Sequence, residues 1–245
     1  MRKSLCLLSV FSVFASAIAA SRADDQADAK AIVAKAIKAA GGEEKLTKFN
    51  AHTIKETGIY YGMGDGVPYT GIYAIQYPHQ FKMEIQGFFK MVLNGDKGWR
   101  QVNGETVEMT PEQLKIQQDD HYSGWITTLL PLKDKKFKLT TAGETKVADR
   151  TVVGVRVSSD KHRDVTLYFD KQTGLLAKAE NRAISEEQGG KEVNQEVFFS
   201  EYKEIDGAKM ATKFLIKRDG EKFVEAEAIE FRPVGKLDDS VFAKP

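Results

Sequence analysis

The chain has 245 residues, of which 42% are hydrophobic and 29% charged, and its 36 basic and 35 acidic side chains give a net charge of +1. Such a balance provides no basic excess to attract nucleic acid or anionic lipid headgroups, which argues against a nucleic-acid-binding protein. The single cysteine, Cys6, lies in the first apolar segment, so the remainder of the chain has no disulfide, no thiolate nucleophile and no cysteine metal ligand.

The N-terminus has the pattern of a secretory signal. A basic start precedes a short apolar run, and small residues that a signal peptidase recognises follow it. The apolar run is too short and wrongly flanked to span a membrane, although a retained anchor helix is the alternative. We expect residues 1–23 to be a signal peptide cleaved after Ala19 or Ala23. Residues 24–245 would then form one domain, exported to the periplasm as a soluble protein without a lipid anchor.

The first predicted helix follows this signal. Ala29, Val33 and Ala36 share one stripe at a spacing of 3.6 residues. Asp28 is the predicted N-cap, and Gly41 with the glycine after it is the stop signal. A stripe of this kind is typical of a face that packs against the rest of a domain.

From about Thr53 the hydrophobic period changes to two, which predicts strands. Phe81, Met83 and Ile85 alternate strictly with polar residues, and Tyr73 shares a face with the other tyrosines of its own segment. Asn-Gly pairs separate several of these segments and are hairpin turn signals. The pattern predicts an antiparallel meander.

The sequence "GMGDG" at residues 62–66 lies between two predicted strands. A phosphate-binding glycine loop leads from a strand into a helix, and this spacing is not that of a dinucleotide-binding loop. Asp65 alone cannot fill a calcium coordination shell. We therefore predict a flexible hairpin tip, with a mobile flap over a ligand as the alternative.

One further helix interrupts the strands. Thr110 is its predicted N-cap and forms a capping box with Gln113. Asp119, Asp120 and His121 place two carboxylates beside an imidazole, which could seed a metal site. The four histidines of the chain are not spaced to converge, so we expect both aspartates to face water and no metal to bind.

The complete pattern predicts an α+β fold of ten or eleven strands and two principal helices. A single antiparallel sheet of this size must curve strongly, which gives an open half-barrel capped by helices. Two helices cover only part of one face of such a sheet, so its uncovered apolar interior would form a lipid-sized cavity. The residues predicted to line this cavity are Tyr73, Phe81, Met83, Ile85, Trp125, Leu129, Leu167 and Phe169.

The C-terminal half resembles a known family. Residues 167–180 read "LYFDKQTGLLAKAE", residues 201–220 read "EYKEIDGAKMATKFLIKRDG", and the chain closes with "LDDSVFAKP". Together these motifs resemble the LolA-like superfamily of periplasmic outer-membrane lipoprotein-sorting proteins. The resemblance implies an open, strongly curved antiparallel sheet capped by helices, with a hydrophobic interior that holds acyl chains.

These observations favour a periplasmic, non-enzymatic binding or carrier protein for a lipophilic ligand. The expected partners are acyl chains of a lipid or lipoprotein, together with a protein of the cell envelope. We expect no cofactor, no nucleic acid and no integral membrane segment. A protein-interaction module is one alternative. The other is an enzyme built on the same half-barrel, which would need polar groups that converge in the cavity, with His121 as a candidate.

Overall fold

The computed structural model describes the backbone of residues 11–245 and the side chains of residues 25–245. The predicted cleavage sites at Ala19 and Ala23 lie outside the residues whose side chains are described. Three α-helices occur in the described part of the chain. They are α1 Phe11–Ala39, α2 Glu43–Thr47 and α3 Pro111–Thr127. None of the helices searched is both long and apolar enough to cross a membrane.

The helix boundaries agree with the sequence signals at two of three points. Thr110 caps α3 through the predicted box, because its hydroxyl accepts from the Gln113 amide while the Gln113 side chain accepts from Thr110 N–H. Gly41 follows the end of α1 with a positive φ of 116°. The prediction of Asp28 as an N-cap is wrong, because α1 begins at Phe11 and Asp28 lies within it.

The described residues contain thirteen strands in one antiparallel sheet. Their bounds are β1 Ala51–Tyr60, β2 Val67–Gln76, β3 Gln80–Ile85, β4 Phe89–Asn94, β5 Lys97–Val102, β6 Glu105–Glu108, β7 Lys138–Val147, β8 Arg150–Ser158, β9 Val165–Asp170, β10 Leu176–Ser185, β11 Lys191–Ile205, β12 Ala208–Arg218 and β13 Glu221–Val234. The predicted fold class is confirmed, whereas the predicted count of ten or eleven strands is too low.

The sheet consists of two meanders joined in the middle. The order β6-β5-β4-β3-β2-β1-β13-β12-β11-β10-β9-β8-β7 places β1 against β13, so the first and last strands of the chain form its centre. β6 and β7 are the outer edges and do not pair with each other, which leaves the sheet open. Since α3 follows β6 and precedes β7, it connects one edge to the other.

The half of the sheet from β7 to β10 is covered by helices, and we call it the closed half. Side chains of α1 and α3 pack there against alternate residues of the strands. Leu167 and Phe169 of β9 are 0% and 1% exposed, and Ile126 of α3 is 0% exposed. This half is an ordinary hydrophobic core.

The C-terminal segment crosses the opposite face of the first meander. A 3₁₀ turn at Asp239–Phe242 inserts Phe242 against Ala74 of β2 and Val92 of β4. Ala74 and Val92 alternate in sequence with residues of the other face, so Phe242 lies behind the sheet. The segment thereby supports β2 and β4 from the side that α3 does not cover.

Candidate ligand-binding cavity

Three adjoining cavities lie on the face of the sheet beneath α3, and most of their lining residues belong to strands outside the closed half. Cavity A has a volume of about 420 Å³, cavity B about 320 Å³ and cavity C about 190 Å³. A and B share five wall residues, namely Tyr73, Met91, Gln117, Asp120 and Val224. B and C share four, namely Ile54, Ile75, Tyr77 and Phe214. A and B each have the size of a small-ligand pocket.

The walls of cavities A and B include alternate residues of strands in the first meander. β3 contributes Phe81, Met83 and Ile85, and β4 contributes Met91 from the matching face. Since side chains of a strand alternate between faces, the period-two pattern of the sequence sends all of these side chains to the same side. The cavity walls are therefore mostly apolar.

α3 forms the roof with one of its faces. Gln117, Asp120, His121 and Gly124 are spaced by three, one and three residues, and this places them on one side of a helix. The apolar residues Tyr122 and Ile126 lie on another side and pack into the closed half. The expectation that Asp120 faces water is therefore wrong, because its side chain lines cavities A and B.

Five of the predicted lining residues border these cavities. Tyr73, Met83 and Ile85 line cavity A, Tyr73 and Phe81 line cavity B, and Leu129 lines cavity C. Leu129 is also part of the closed core.

The other three predicted residues lie elsewhere. Leu167 and Phe169 are within the closed half and line none of the three cavities. Trp125 borders a separate depression, where its ring lies 6.0 Å from that of Phe137 and the Lys136 ammonium lies 5.0 Å from it. The predicted lining residues of β2 and β3 therefore border the cavities, whereas those of β9 do not.

The mouth of cavity A contains apolar residues that sequence reasoning did not single out. Met63, Val67 and Phe88 line the cavity and are exposed. Met63 belongs to the glycine-rich stretch at residues 62–66, which joins β1 to β2 and confirms the predicted hairpin tip. Gly64 and Gly66 adopt positive φ there, at 100° and 106°.

Two ion pairs lie at the border of cavity A. Arg100 Nη2 is 2.5 Å from Glu186 Oε2, and Arg218 Nη1 is 2.8 Å from Glu187 Oε2. The Arg218 guanidinium also lies 3.7 Å from the ring centre of Phe223. Each guanidinium at this border therefore already has a carboxylate partner.

A buried carboxyl group lies deeper, in the wall of cavity B. Glu56 Oε1 accepts hydrogen bonds from the Tyr69 and Tyr73 hydroxyls, each at 2.7 Å. Burial raises the pKa of Glu56, and the two tyrosine hydrogen bonds oppose that rise only in part. Its hydrogen-bonding partners are therefore neutral groups.

Asp120 and His121 occupy the roof above this carboxyl group. Burial raises the pKa of Asp120 to about 6, against the opposing charge of Arg218. Burial lowers the pKa of His121 to about 4, so its imidazole is neutral at neutral pH. The His121 ring stacks on Tyr77 at 5.1 Å, and its Nε2 is buried without a hydrogen-bond partner among the described residues.

The same carboxyl and imidazole groups do not form a metal site. Across residues whose side chains are described, no group of three or more histidine, cysteine, aspartate or glutamate residues could hold an ion. The arrangement offers hydrogen-bond acceptors inside an apolar chamber instead.

These features define a class of protein, namely an open antiparallel half-barrel with helices over its inner face and unfilled apolar space between them. No family model and no curated protein matches the sequence, so relationships come from three-dimensional comparison alone. The structure is similar to a LolA superfamily protein from Nitrosomonas europaea, with 10% identity, a TM-score of 0.59 and coverage of 88% of this chain and 97% of that chain.

Two further solved structures are similar over most of the chain. A DUF1329 family protein from Desulfovibrio piger has 12% identity and a TM-score of 0.58, with 88% of this chain and 97% of that chain covered. A domain from Vibrio parahaemolyticus named for outer membrane lipoprotein sorting has 11% identity and a TM-score of 0.52, with 86% and 97% covered. The resemblance to the LolA-like superfamily is thus confirmed as a likeness of fold.

Proposed function

We propose that the protein is a non-enzymatic carrier that binds a lipophilic ligand in the chamber formed by cavities A, B and C. The observation that carries this proposal is apolar space that the protein leaves unfilled beneath α3. Folding drives apolar side chains to close-packed contact, so a chamber of this size among methionine, tyrosine and phenylalanine side chains favours an apolar guest.

The ligand class follows from the walls and from the structural likeness. Flexible side chains such as Met83 and Met91 line cavity A and adapt to an apolar chain. One similar structure carries a name that refers to lipoprotein sorting. Both points support acyl chains of a lipid or lipoprotein as the cargo, with an envelope protein as donor or acceptor.

The cellular location is also part of the proposal. We infer that residues 1–23 direct export and that the domain at residues 24–245 acts in the periplasm. Sequencing the N-terminus of the exported protein tests this inference, with Ala20 or Asp24 as the expected first residue. Recovery of Met1 on the exported protein would contradict it.

Binding of a neutral fluorescent probe tests the carrier function. Delipidated protein should bind N-phenyl-1-naphthylamine saturably, near one molecule per chain. Met83→Gln places a polar amide in the wall of cavity A and should weaken binding several-fold. Ile229→Gln changes an exposed apolar residue that lines neither cavity A nor cavity B, and it should leave binding unchanged.

Thermal unfolding of both variants shows whether the fold survives each change. Absence of saturable probe binding by the wild type would overturn the carrier function and favour a protein-interaction module. Equal weakening by both variants would show that the probe binds outside the chamber.

A further inference from the structure

Acidic groups outnumber basic groups in the walls of cavities A and B. Among the described residues, two guanidinium groups and four carboxyl groups line the two cavities, and no lysine does. The carboxyl groups belong to Glu56, Asp120, Glu186 and Glu187. The two guanidinium groups belong to Arg100 and Arg218.

Both arginines are already paired. Arg100 bonds to Glu186, and Arg218 bonds both to Glu187 and to the Gln195 side-chain oxygen at 3.1 Å. The Arg100 Nε has no partner among the described residues, but this atom is buried rather than open to cavity A. The charge of each guanidinium is therefore already balanced by a carboxylate of the protein.

The two remaining carboxyl groups lie on facing walls of cavity B. Glu56 reaches it from β1 in the sheet, and Asp120 reaches it from α3 in the roof. Glu56 receives hydrogen bonds from neutral tyrosine hydroxyls only. Asp120 forms no hydrogen bond or ion pair with any described residue, although Arg218 is near enough for its charge to act on Asp120. The two carboxyl groups that have no cationic hydrogen-bond partner thus lie together at the middle of the chamber.

We propose that the ligand is an amphiphile that carries a positively charged amine, and that this amine binds in cavity B between Asp120 and Glu56. This inference rests on the proposed carrier function and adds the chemistry of the ligand's polar group. A protonated amine donates up to three hydrogen bonds, so it satisfies carboxylates on two walls at once. Its apolar chain then lies in cavity A or C.

An anionic amphiphile fits the same chamber poorly. A fatty-acid carboxylate in cavity B would face two carboxyl groups and a neutral imidazole. Among the described residues no arginine or lysine lines cavity B, and both arginines of cavity A are already paired with carboxylates. Like charges in a desolvated site repel strongly, so such a ligand binds only with its headgroup outside or protonated. The chamber therefore discriminates between headgroups of opposite charge.

Displacement of the neutral probe by three ligands of equal chain length tests this inference. Dodecylamine, dodecanol and dodecanoate are titrated below their aggregation concentrations into the probe complex of the full chain at pH 7.5. A charge-assisted hydrogen bond is worth about 1.5–3 kcal/mol, so dodecylamine should displace the probe at a concentration about tenfold or more below that of dodecanol. Dodecanoate should require a higher concentration than dodecanol.

Two variants and one matched control locate the effect. Asp120→Asn and Glu56→Gln should each reduce the preference for amine over alcohol. This preference is a ratio measured within each variant, so it does not depend on the affinity of that variant for the probe. Asp119→Asn is the control, because Asp119 is the neighbouring residue of α3 but bonds to Lys115 Nζ at 2.5 Å and His162 Nδ1 at 2.7 Å outside the chamber. This control should keep the full preference.

The outcomes separate the inference from the carrier function. Probe binding without a preference for the amine, or with a preference for dodecanoate, overturns the amine site and leaves the carrier function standing. A preference that survives in both variants also overturns it. Failure of the wild type to bind the probe removes the carrier function and the amine site together.

Discussion

The ionisation of Asp120 indicates whether water reaches its side chain in the chamber. Its pKa is raised to about 6 from an ordinary value of 3.8, chiefly by burial. Between these two values the folded protein holds a proton that the unfolded chain has released. The free energy of unfolding therefore falls as pH rises through this window, since the slope has the sign of protons bound in the unfolded state minus those bound in the folded state.

Replacing this side chain should reverse that loss. The quantity of interest is the free energy of unfolding of Asp120→Asn minus that of the wild type, both without ligand. This difference should increase by about 1–2 kcal/mol from pH 4.5 to pH 7.5. Urea unfolding of both proteins at the two pH values measures this difference. His52 and His121 also titrate abnormally, but both are present in both proteins, so their contributions cancel. A difference that stays constant with pH would show that Asp120 is hydrated.

Sequence periodicity could not have identified Asp120 as a residue of the chamber. Hydrophobic periodicity identifies the face of a helix that must pack, and in α3 that face contains Tyr122 and Ile126. A face over unfilled space needs no apolar side chains, so in the sequence Asp120 resembles Asp119 beside it, which lies outside the chamber. Only the curvature of the sheet under α3 distinguishes the two.

Among the secondary-structure elements, those specified by local sequence signals were predicted best. The Thr110 capping box and the hairpin at residues 62–66 depend on a few adjacent residues, and both were predictable. The pairing of β1 with β13 depends on residues at opposite ends of the domain, and no local pattern encodes it. For the same reason Leu167 could be placed on the inner face of a strand but not assigned to the closed half.

α3 contains a glycine where a helix would otherwise disfavour one. Gly124 faces cavity B, and a Cβ atom added there would meet only the Tyr77 hydroxyl, at 3.6 Å. Gly124→Ala should therefore raise the free energy of unfolding by about 0.5–1 kcal/mol, the difference in helix propensity between the two residues. Thermal or urea unfolding measures this gain.

A larger side chain at the same position tests whether the chamber holds the ligand. Gly124→Phe should extend into cavity B and strongly reduce affinity for the neutral probe in a folded protein. The alanine variant is the matched control, because it keeps the helix and leaves the cavity open. Undiminished probe binding by Gly124→Phe would show that cavity B is not used.

In the molecule as a whole, one half of the sheet forms a closed core and the other half borders the cavities. The closed half supplies a core sealed by α1 and α3, which stabilises the fold without help from a ligand. The other half keeps the inner faces of β2, β3 and β4 uncovered and must gain stability elsewhere. Its opposite face supplies that stability through the C-terminal segment, where Phe242 is 0% exposed.

This division predicts that stability and binding can be separated. Phe242→Ala removes a buried ring from behind β2 and β4, and it should lower the free energy of unfolding by about 3–5 kcal/mol. Lys244→Ala, at an exposed position of the same segment, should change it by less than about 0.5 kcal/mol. Under conditions in which both variants remain folded, affinity for the neutral probe should equal that of the wild type. A weaker probe complex in folded Phe242→Ala would mean that the C-terminal segment shapes the chamber through the sheet, and that the two faces of the first meander do not act independently.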